Sequence, residues 1–366
     1  MLIKTDCRLY KGDIPCKPHK ELGVHCEDCT HYKKTSLNIL IIKLGAIGDV
    51  IRTTPLLRKL RAIHPNANIY WLTYFPEILS SDWVDNILKV NPENLEIIKA
   101  IDFNWVINLD KDKIAVALTK NIIADNKSGF TMDNFGNAHP ISNKAEEHKW
   151  LTGIFNDISK QNTKNYVQEI FEICNFSFND EEYILQVQND NYHWKINKSK
   201  KVIGLNTGCG GRWTSRLWPN EYWIDLASNL LKDGYEVIFL GGEQEHEKNL
   251  MLSKKSGGKY FGHFTLDKFI SLVNECALIV TAVTMAMHIA IGLKKKTIIF
   301  NNIFNKNEFY LYGRGIILEP EFECNCYYTT VCPNNCMQYL YPETVLNHIL
   351  NLINEEVYKK KSNNFI

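Results

Sequence analysis

Asp49, the loop 206–219 and two groups of four cysteines hold most of the reactive chemistry that this chain's residue types offer. The apolar run Leu37 to Ile42 leads into Gly45-Ala46-Ile47-Gly48-Asp49, and Val50, Leu56, Leu57 and Leu60 follow at helical spacing, so the segment reads as strand, tight turn and helix. Such a turn lies at the carboxyl end of a first parallel strand, where open α/β sheets bind ligands, and Gly45, Ala46 and Gly48 would let a substrate approach the backbone. A carboxylate at a helix start is stabilised as an anion by the free amides there. Asp49 therefore reads either as a helix cap or as a general base. Asp110, at the end of the strand expected at Trp105 to Leu109, reads as a turn carboxylate, a second acid or base, or an acceptor ligand.

The loop Asn206 to Pro219 follows another strand and carries Thr207, Gly208, Arg212 and Arg216 among glycines and hydroxyls. Amides, hydroxyls and an arginine fork suit a diphosphate and can neutralise it without a metal; alternatively, Trp213 and Trp218 are core anchors and the arginines are solvated. A third stretch, Thr281 to Ala290, runs from a strand end into a helix carrying Thr284, Met287 and His288, whose first amides suit an anion. Taken alone, His288 on this apolar helix reads as a core histidine.

Positioning these groups requires two α/β lobes. The 366 residues exceed the ~250 at which single cores stop growing. Strands at Leu37 to Ile42, Ile69 to Thr73 and Trp105 to Leu109 alternate with helical or loop segments of crossover length. From about Ala115 to Gln188 the chain is polar and helical without strand alternation. A linker is expected near Asn189 to Lys200, after which the pattern restarts with Val202 to Leu205, Tyr235 to Leu240, Leu278 to Thr281 and Thr297 to Phe300 as strands. The expected organisation is a cysteine-rich appendage at 1–34, a Rossmann-like domain at 35–190, a second Rossmann-like domain at 191–340, and a C-terminal helix and tail at 341–366.

Cys7-x8-Cys16-x9-Cys26-x2-Cys29 offers four thiolates, and its Cys-x2-Cys pair suits one tetrahedral metal, zinc first and iron second. His19, His25 or His31 are substitute ligands, and free structural thiols are the alternative. Cys324-x-Cys326-x5-Cys332-x3-Cys336 is the second and weaker candidate. Lys and Arg total 42 against 41 Asp and Glu, a balance that disfavours a nucleic-acid partner. Neither a signal peptide nor a run of ~18 apolar residues is found, so a cytoplasmic protein is expected.

Ile41 to Val50 followed by Thr53-Thr54-Pro55-Leu56-Leu57, Trp213 to Pro219, Leu240-Gly241-Gly242 with Glu245, and Met287 to Ala290 together resemble glycosyltransferase family 9, the ADP-heptose lipopolysaccharide heptosyltransferases, from about Leu37 to Ile353. The resemblance implies the GT-B fold, two Rossmann-like domains facing across a cleft, and inverting transfer without a catalytic metal. It implies Asp49 as general base, Arg216 in place of a diphosphate-binding lysine, Thr207 and Gly208 on the phosphate side, Glu245 by the nucleoside, and Thr284 and His288 beside the donor. Val283 departs from the family pattern, which has a donor-contacting aspartate there.

The implied donor is an ADP-heptose-type nucleotide sugar, and the implied acceptor a bacterial surface glycan, lipopolysaccharide core first, which would bring the enzyme transiently to the inner membrane face. Heptosyltransferases that modify autotransporter proteins also carry four-cysteine iron sites, which keeps a protein acceptor open. Val283 keeps open a copy that binds sugar nucleotide but is catalytically impaired. Cys336-Met337 resembles a family feature near the last helix, which argues against a separate metal site there.

Overall fold

A computed structural model describes residues 2–187 and 192–362, with side chains to residue 354. The expected boundary at 190/191 and the start of the expected linker lie outside the described residues. Contacts divide the chain into two compact units, Met1–Leu151 with Val167–Ile184, and Thr152–Tyr166 with Leu185–Ile366.

Unit 1 is built on β1 (Asn38–Ile42), β2 (Asn68–Thr73), β3 (Asn86–Lys89), β4 (Phe103–Asn108), β5 (Ala124–Met132) and β6 (Ala138–Pro140), in the order β3-β2-β1-β4-β5-β6. All pairings are parallel except β5 with β6. Ile39, Leu40, Ile41 and Ile42 are all fully buried, because helices cover both faces of a parallel sheet and a central strand then has no solvent side. Leu40 and Ile42 pack with Leu72, Val106, Ala115 and Leu118 in one core.

The stretch expected to lack strands contains β5 and β6. Its sequence Ala-Asp-Asn-Lys-Ser-Gly-Phe-Thr-Met hides the strand, since Asp125 and Asn126 are exposed and only Ser128, Gly129 and Phe130 are buried. Gly129, at φ +99°, passes so close to β4 that a Cβ there would lie 1.8 Å from the Asn108 carbonyl oxygen. The buried Glu146 carboxylate secures this region by accepting from the amides of Gly129 (2.7 Å), Ser142 (2.6 Å) and Asn143 (2.9 Å). Glu146→Ala strands three amide donors and is expected to cost about 3 kcal/mol, read from urea unfolding of the full chain. A loss below about 1 kcal/mol would mean that water replaces the carboxylate.

Unit 2 repeats the plan. Its strands are β7 (Val202–Asn206), β8 (Glu236–Leu240), β9 (Lys259–Tyr260), β10 (Leu278–Ala282), β11 (Lys296–Phe300) and β12 (Gly315–Leu318), ordered β12-β11-β10-β7-β8-β9 and parallel throughout. The helix Pro342–Ser362 buries Val345, Ile349 and Ile353 in the same core as Trp223, Leu226 and Leu230 of the helix Asn220–Lys232. Each unit thus has the 3-2-1-4-5-6 strand order of a Rossmann sheet, the α/β class expected from the sequence. The order reverses between β1 and β4 in unit 1 and between β7 and β10 in unit 2, so ligand sites are expected beyond the carboxyl ends of those four strands. No described helix is long and apolar enough to cross a membrane.

Candidate functional site

In unit 1 the two predicted carboxylates flank the reversal point. Asp49 is the third residue of the helix Ile47–Thr53, which is separated from the end of β1 by four residues. Its Oδ2 accepts from the Ala46 amide at 3.3 Å, and its Oδ1 pairs with Arg52 Nη2 at 2.7 Å. Both interactions fix the direction of a carboxylate that remains partly exposed. Gly45 and Ala46 line the same turn, Gly45 close against Phe75, while Gly48 is buried within the helix.

Asp110 is differently placed. Its Oδ2 accepts from the Leu44 amide (3.0 Å) and pairs with Lys43 Nζ (3.3 Å), and its Oδ1 accepts from the Asp112 amide (3.3 Å). It ties the end of β4 to the turn after β1, a bracing position for the Asp49 loop.

In unit 2, Thr207 and Gly208 follow β7 directly. Thr207 is 2% exposed, and its hydroxyl donates to Asn249 Oδ1 at 2.6 Å. Gly208 lies against Glu245, whose carboxyl carbon would be 2.1 Å from an added Cβ, so any side chain there displaces Glu245. Glu245 itself accepts from the Gly242 amide at 2.9 Å. Asn206 ties the two strand ends together, its amide donating to the Gly208 carbonyl (3.2 Å), Thr281 Oγ1 (2.9 Å) and Thr284 Oγ1 (3.5 Å). Thr284 precedes the helix Met285–Gly292.

Arg216 reaches this loop from the turn Thr214–Arg216. Only 7% exposed, it donates through Nη1 to the Val283 carbonyl and through Nη2 to the Cys209 carbonyl at 3.0 Å, and its buried Nε–H has no acceptor among the described residues. Burial lowers its pKa from the ordinary guanidinium value. Lys248, which sequence reasoning did not single out, also reaches the loop, its Nζ donating to the Thr207 carbonyl at 2.9 Å. Burial lowers its pKa too. Two largely desolvated cations lie at glycine-rich backbone, Lys248 with the Glu245 carboxylate as its acidic neighbour and Arg216 with an Nε–H still to be matched, an arrangement that suits a diphosphate.

Other predicted residues are less direct. Arg212 is exposed, its guanidinium lying 5.1 Å from the Trp213 ring centroid. His288 is buried, and Met287 has no accessible surface and packs within the core. Trp218 is a core anchor, donating through Nε1 to the Leu340 carbonyl at 2.8 Å.

The ranking of the cysteine groups is reversed. Cys7, Cys16, Cys26 and Cys29 line one small apolar cavity with His31. Among the described residues, however, only Cys324, Cys326, Cys332 and Cys336 bring their ligand atoms within 4.8 Å of one another. The appendage has one six-residue helix, Lys17–Leu22, to hold its thiols, whereas Cys326, Cys332 and Cys336 are packed with Ile303, Trp213 and Phe304 in a core of unit 2.

Within that core, Cys324 Sγ lies 3.5 Å from Cys332 Sγ, and Cys326 Sγ 3.6 Å from Cys336 Sγ. Four thiolates about 2.3 Å from a tetrahedral ion would stand ~3.8 Å apart, so the set fits zinc or iron. Asn302 Nδ2 donates to Cys336 Sγ (3.3 Å) and Asn334 Nδ2 to Cys324 Sγ (3.7 Å), the kind of outer hydrogen bonds that thiolate ligands receive. Burial raises the Cys336 thiol to about 11, aided by the neighbouring Cys332. Burial opposes ionisation of Cys332 as well, but hydrogen bonds from the Cys336 and Asn334 amides and the neighbouring thiols bring it down to about 7.

A model of glycosyltransferase family 9 (heptosyltransferase) matches residues 144–305. The matched stretch is less than half of the chain. It contains Thr207, Gly208, Arg216, Glu245, Thr284 and His288; Asp49 and the cysteine groups lie outside it. The chain is similar to lipopolysaccharide heptosyltransferase 2 of Escherichia coli K12, 28% identical over 109 residues, which are 28% of this chain and 31% of the relative. It thus spans about a third of the length of that curated relative.

The fold is similar to that of E. coli heptosyltransferase WaaC with ADP, with a TM-score of 0.65 at 14% identity, covering 86% of this chain and 100% of the other. The iron-containing dodecameric glycosyltransferase TibC from enterotoxigenic E. coli has a TM-score of 0.54 at 11% identity, covering 87% of this chain and 79% of that one.

Proposed function

We propose that this chain is an inverting glycosyltransferase that moves a heptose from an ADP-heptose-type donor to a bacterial surface glycan, lipopolysaccharide core first. The observation that carries the reading is the buried Arg216, with its unmatched Nε–H, beside Lys248 and the Thr207–Gly208 turn at the strand-order reversal of the family 9 segment. In this reading Arg216, Lys248 and loop amides receive the diphosphate and stabilise it as it leaves, so the protein's own cations supply the charge that a catalytic metal would otherwise supply. Glu245, held against Gly208, is assigned to the nucleoside, and Thr284 and His288 to the donor side. Asp49 takes the proton of the acceptor hydroxyl as that oxygen attacks the anomeric carbon. A lipid-linked acceptor would bring the protein transiently to the inner face of the membrane.

A protein acceptor is the second reading, favoured by the convergent four-cysteine group and the likeness of fold to iron-containing TibC. Native mass spectrometry of the full chain with a panel of nucleotide sugars tests the donor, and incubation with core-glycan and protein acceptors tests the acceptor. Retention of the ADP-linked sugars and transfer to the glycan are expected. Preference for a UDP-linked sugar, or no retained nucleotide, would overturn the donor assignment; transfer to protein alone would favour the second reading. Binding without turnover on either would identify an impaired copy.

A further inference from the structure

The four-cysteine group and the Arg216 turn are far apart in sequence and share one core. Cys326 and Cys332 bracket a short loop whose middle carbonyls hold the turn: Ser215 donates through its amide to Thr330 O (3.0 Å) and through Oγ to Thr329 O (2.7 Å), and Thr214 Oγ1 donates to Thr330 O (3.2 Å). The loop is closed by Thr329 Oγ1 donating back to the Cys326 carbonyl at 2.8 Å. A second route runs through Asn302, whose single Nδ2 contacts both Ser215 O (2.7 Å) and Cys336 Sγ (3.3 Å). The aromatic packing follows the same line. Trp213 meets Tyr328 of the bracketed loop at 5.3 Å, and Phe304 lies under the Arg216 guanidinium at 5.5 Å.

We propose that a zinc or ferrous ion held by Cys324, Cys326, Cys332 and Cys336 is a positioning clamp for Arg216, so that occupancy of the centre sets the affinity of this chain for a nucleoside diphosphate. The proposal rests on the reading of Arg216 as the diphosphate ligand. With two thiolates fixed at either end, the loop 326–332 has little freedom, and its carbonyls stand where the Thr214–Arg216 turn needs them. With the ion withdrawn, the same seven residues must order three hydrogen bonds against their own chain entropy. The guanidinium then loses its aim, although its charge remains. The clamp therefore acts on the phosphates and leaves the nucleoside alone.

The test uses the full chain, its metal content measured by plasma mass spectrometry, with ADP and adenosine titrated calorimetrically and amide exchange followed over residues 213–217. Removing the ion with a chelator is expected to weaken ADP about tenfold, change adenosine less than twofold, and raise exchange at Ser215, Arg216 and Leu217; zinc or ferrous iron restores all three. Asn302→Ala keeps the four thiolates, and is expected to retain full metal while weakening ADP about threefold, which covers the case in which metal-free protein unfolds. A loaded chain that binds ADP equally well with and without its ion, or an Asn302→Ala chain with wild-type ADP affinity and exchange, overturns the clamp alone. A chain that takes up no stoichiometric metal after reconstitution also overturns it. Loaded wild type that binds neither ADP nor adenosine overturns the nucleotide-site reading and the clamp with it.

Discussion

Asp49→Ala is expected to lower the transfer rate by about two to four orders of magnitude while leaving ADP affinity within about twofold. The carboxylate is the proposed proton acceptor, and its contacts include one amide on Oδ2 and one guanidinium nitrogen on Oδ1, which aim it. Arg52 balances its charge in the resting state, and the carboxylate keeps accessible surface through which an acceptor hydroxyl can approach. Asp49→Asn separates basicity from shape, since the amide retains the size and cannot take the proton; it is expected to be nearly as slow as alanine.

Asp110→Asn is the control. Asp110 accepts from the Leu44 and Asp112 amides and from Lys43, so its loss is expected to lower the unfolding midpoint along with any change in rate. Rates are read at saturating donor against a fixed acceptor. An Asp49→Ala chain with the full transfer rate would remove Asp49 from the role of base.

The central strands were legible because a strand covered on both faces is apolar at consecutive positions, as in Leu37 to Ile42, Val202 to Leu205 and Leu278 to Thr281. The reversal-point loops were legible because glycines and hydroxyls followed those runs directly. β5 was not, since it lies toward the edge of its sheet and only three of its nine residues are buried, so that Asp125, Asn126 and Lys127 mask it as loop.

Spacing alone also misjudged the cysteines. Cys26-x2-Cys29 is the stronger local signal, but convergence of four thiols depends on what holds the other two, and only the second group has a core to do so. Lys248 and Asn302 left no motif at all. Each acts through a carbonyl or a sulfur 34 to 87 positions away, Lys248 on Thr207 and Asn302 on Ser215 and Cys336, and such pairings exist only once the sheet has brought the strand ends together.

Arg216→Ala is expected to weaken ADP by about ten- to a hundredfold, the worth of a charge-assisted fork on phosphate, with adenosine affinity little changed. The guanidinium already donates to the Val283 and Cys209 carbonyls, which hold the backbone after β10 and the loop after β7 at a fixed distance from one plane. In the proposed role its remaining N–H groups would meet a phosphate from a preset position, so little ordering entropy would be lost on binding. Arg216→Lys tests this geometry against bare charge. An ammonium keeps the positive charge but has no planar fork to bridge two carbonyls and an anion at once, and burial disfavours it further.

Lysine is therefore expected to recover less than half of the lost binding free energy, measured by calorimetry at fixed ionic strength. Lys248→Ala should cost less than Arg216→Ala, because its contact with the loop is a single one to the Thr207 carbonyl. Full ADP affinity in Arg216→Ala would place the diphosphate elsewhere, and the cation that the fold buries there would need another anion.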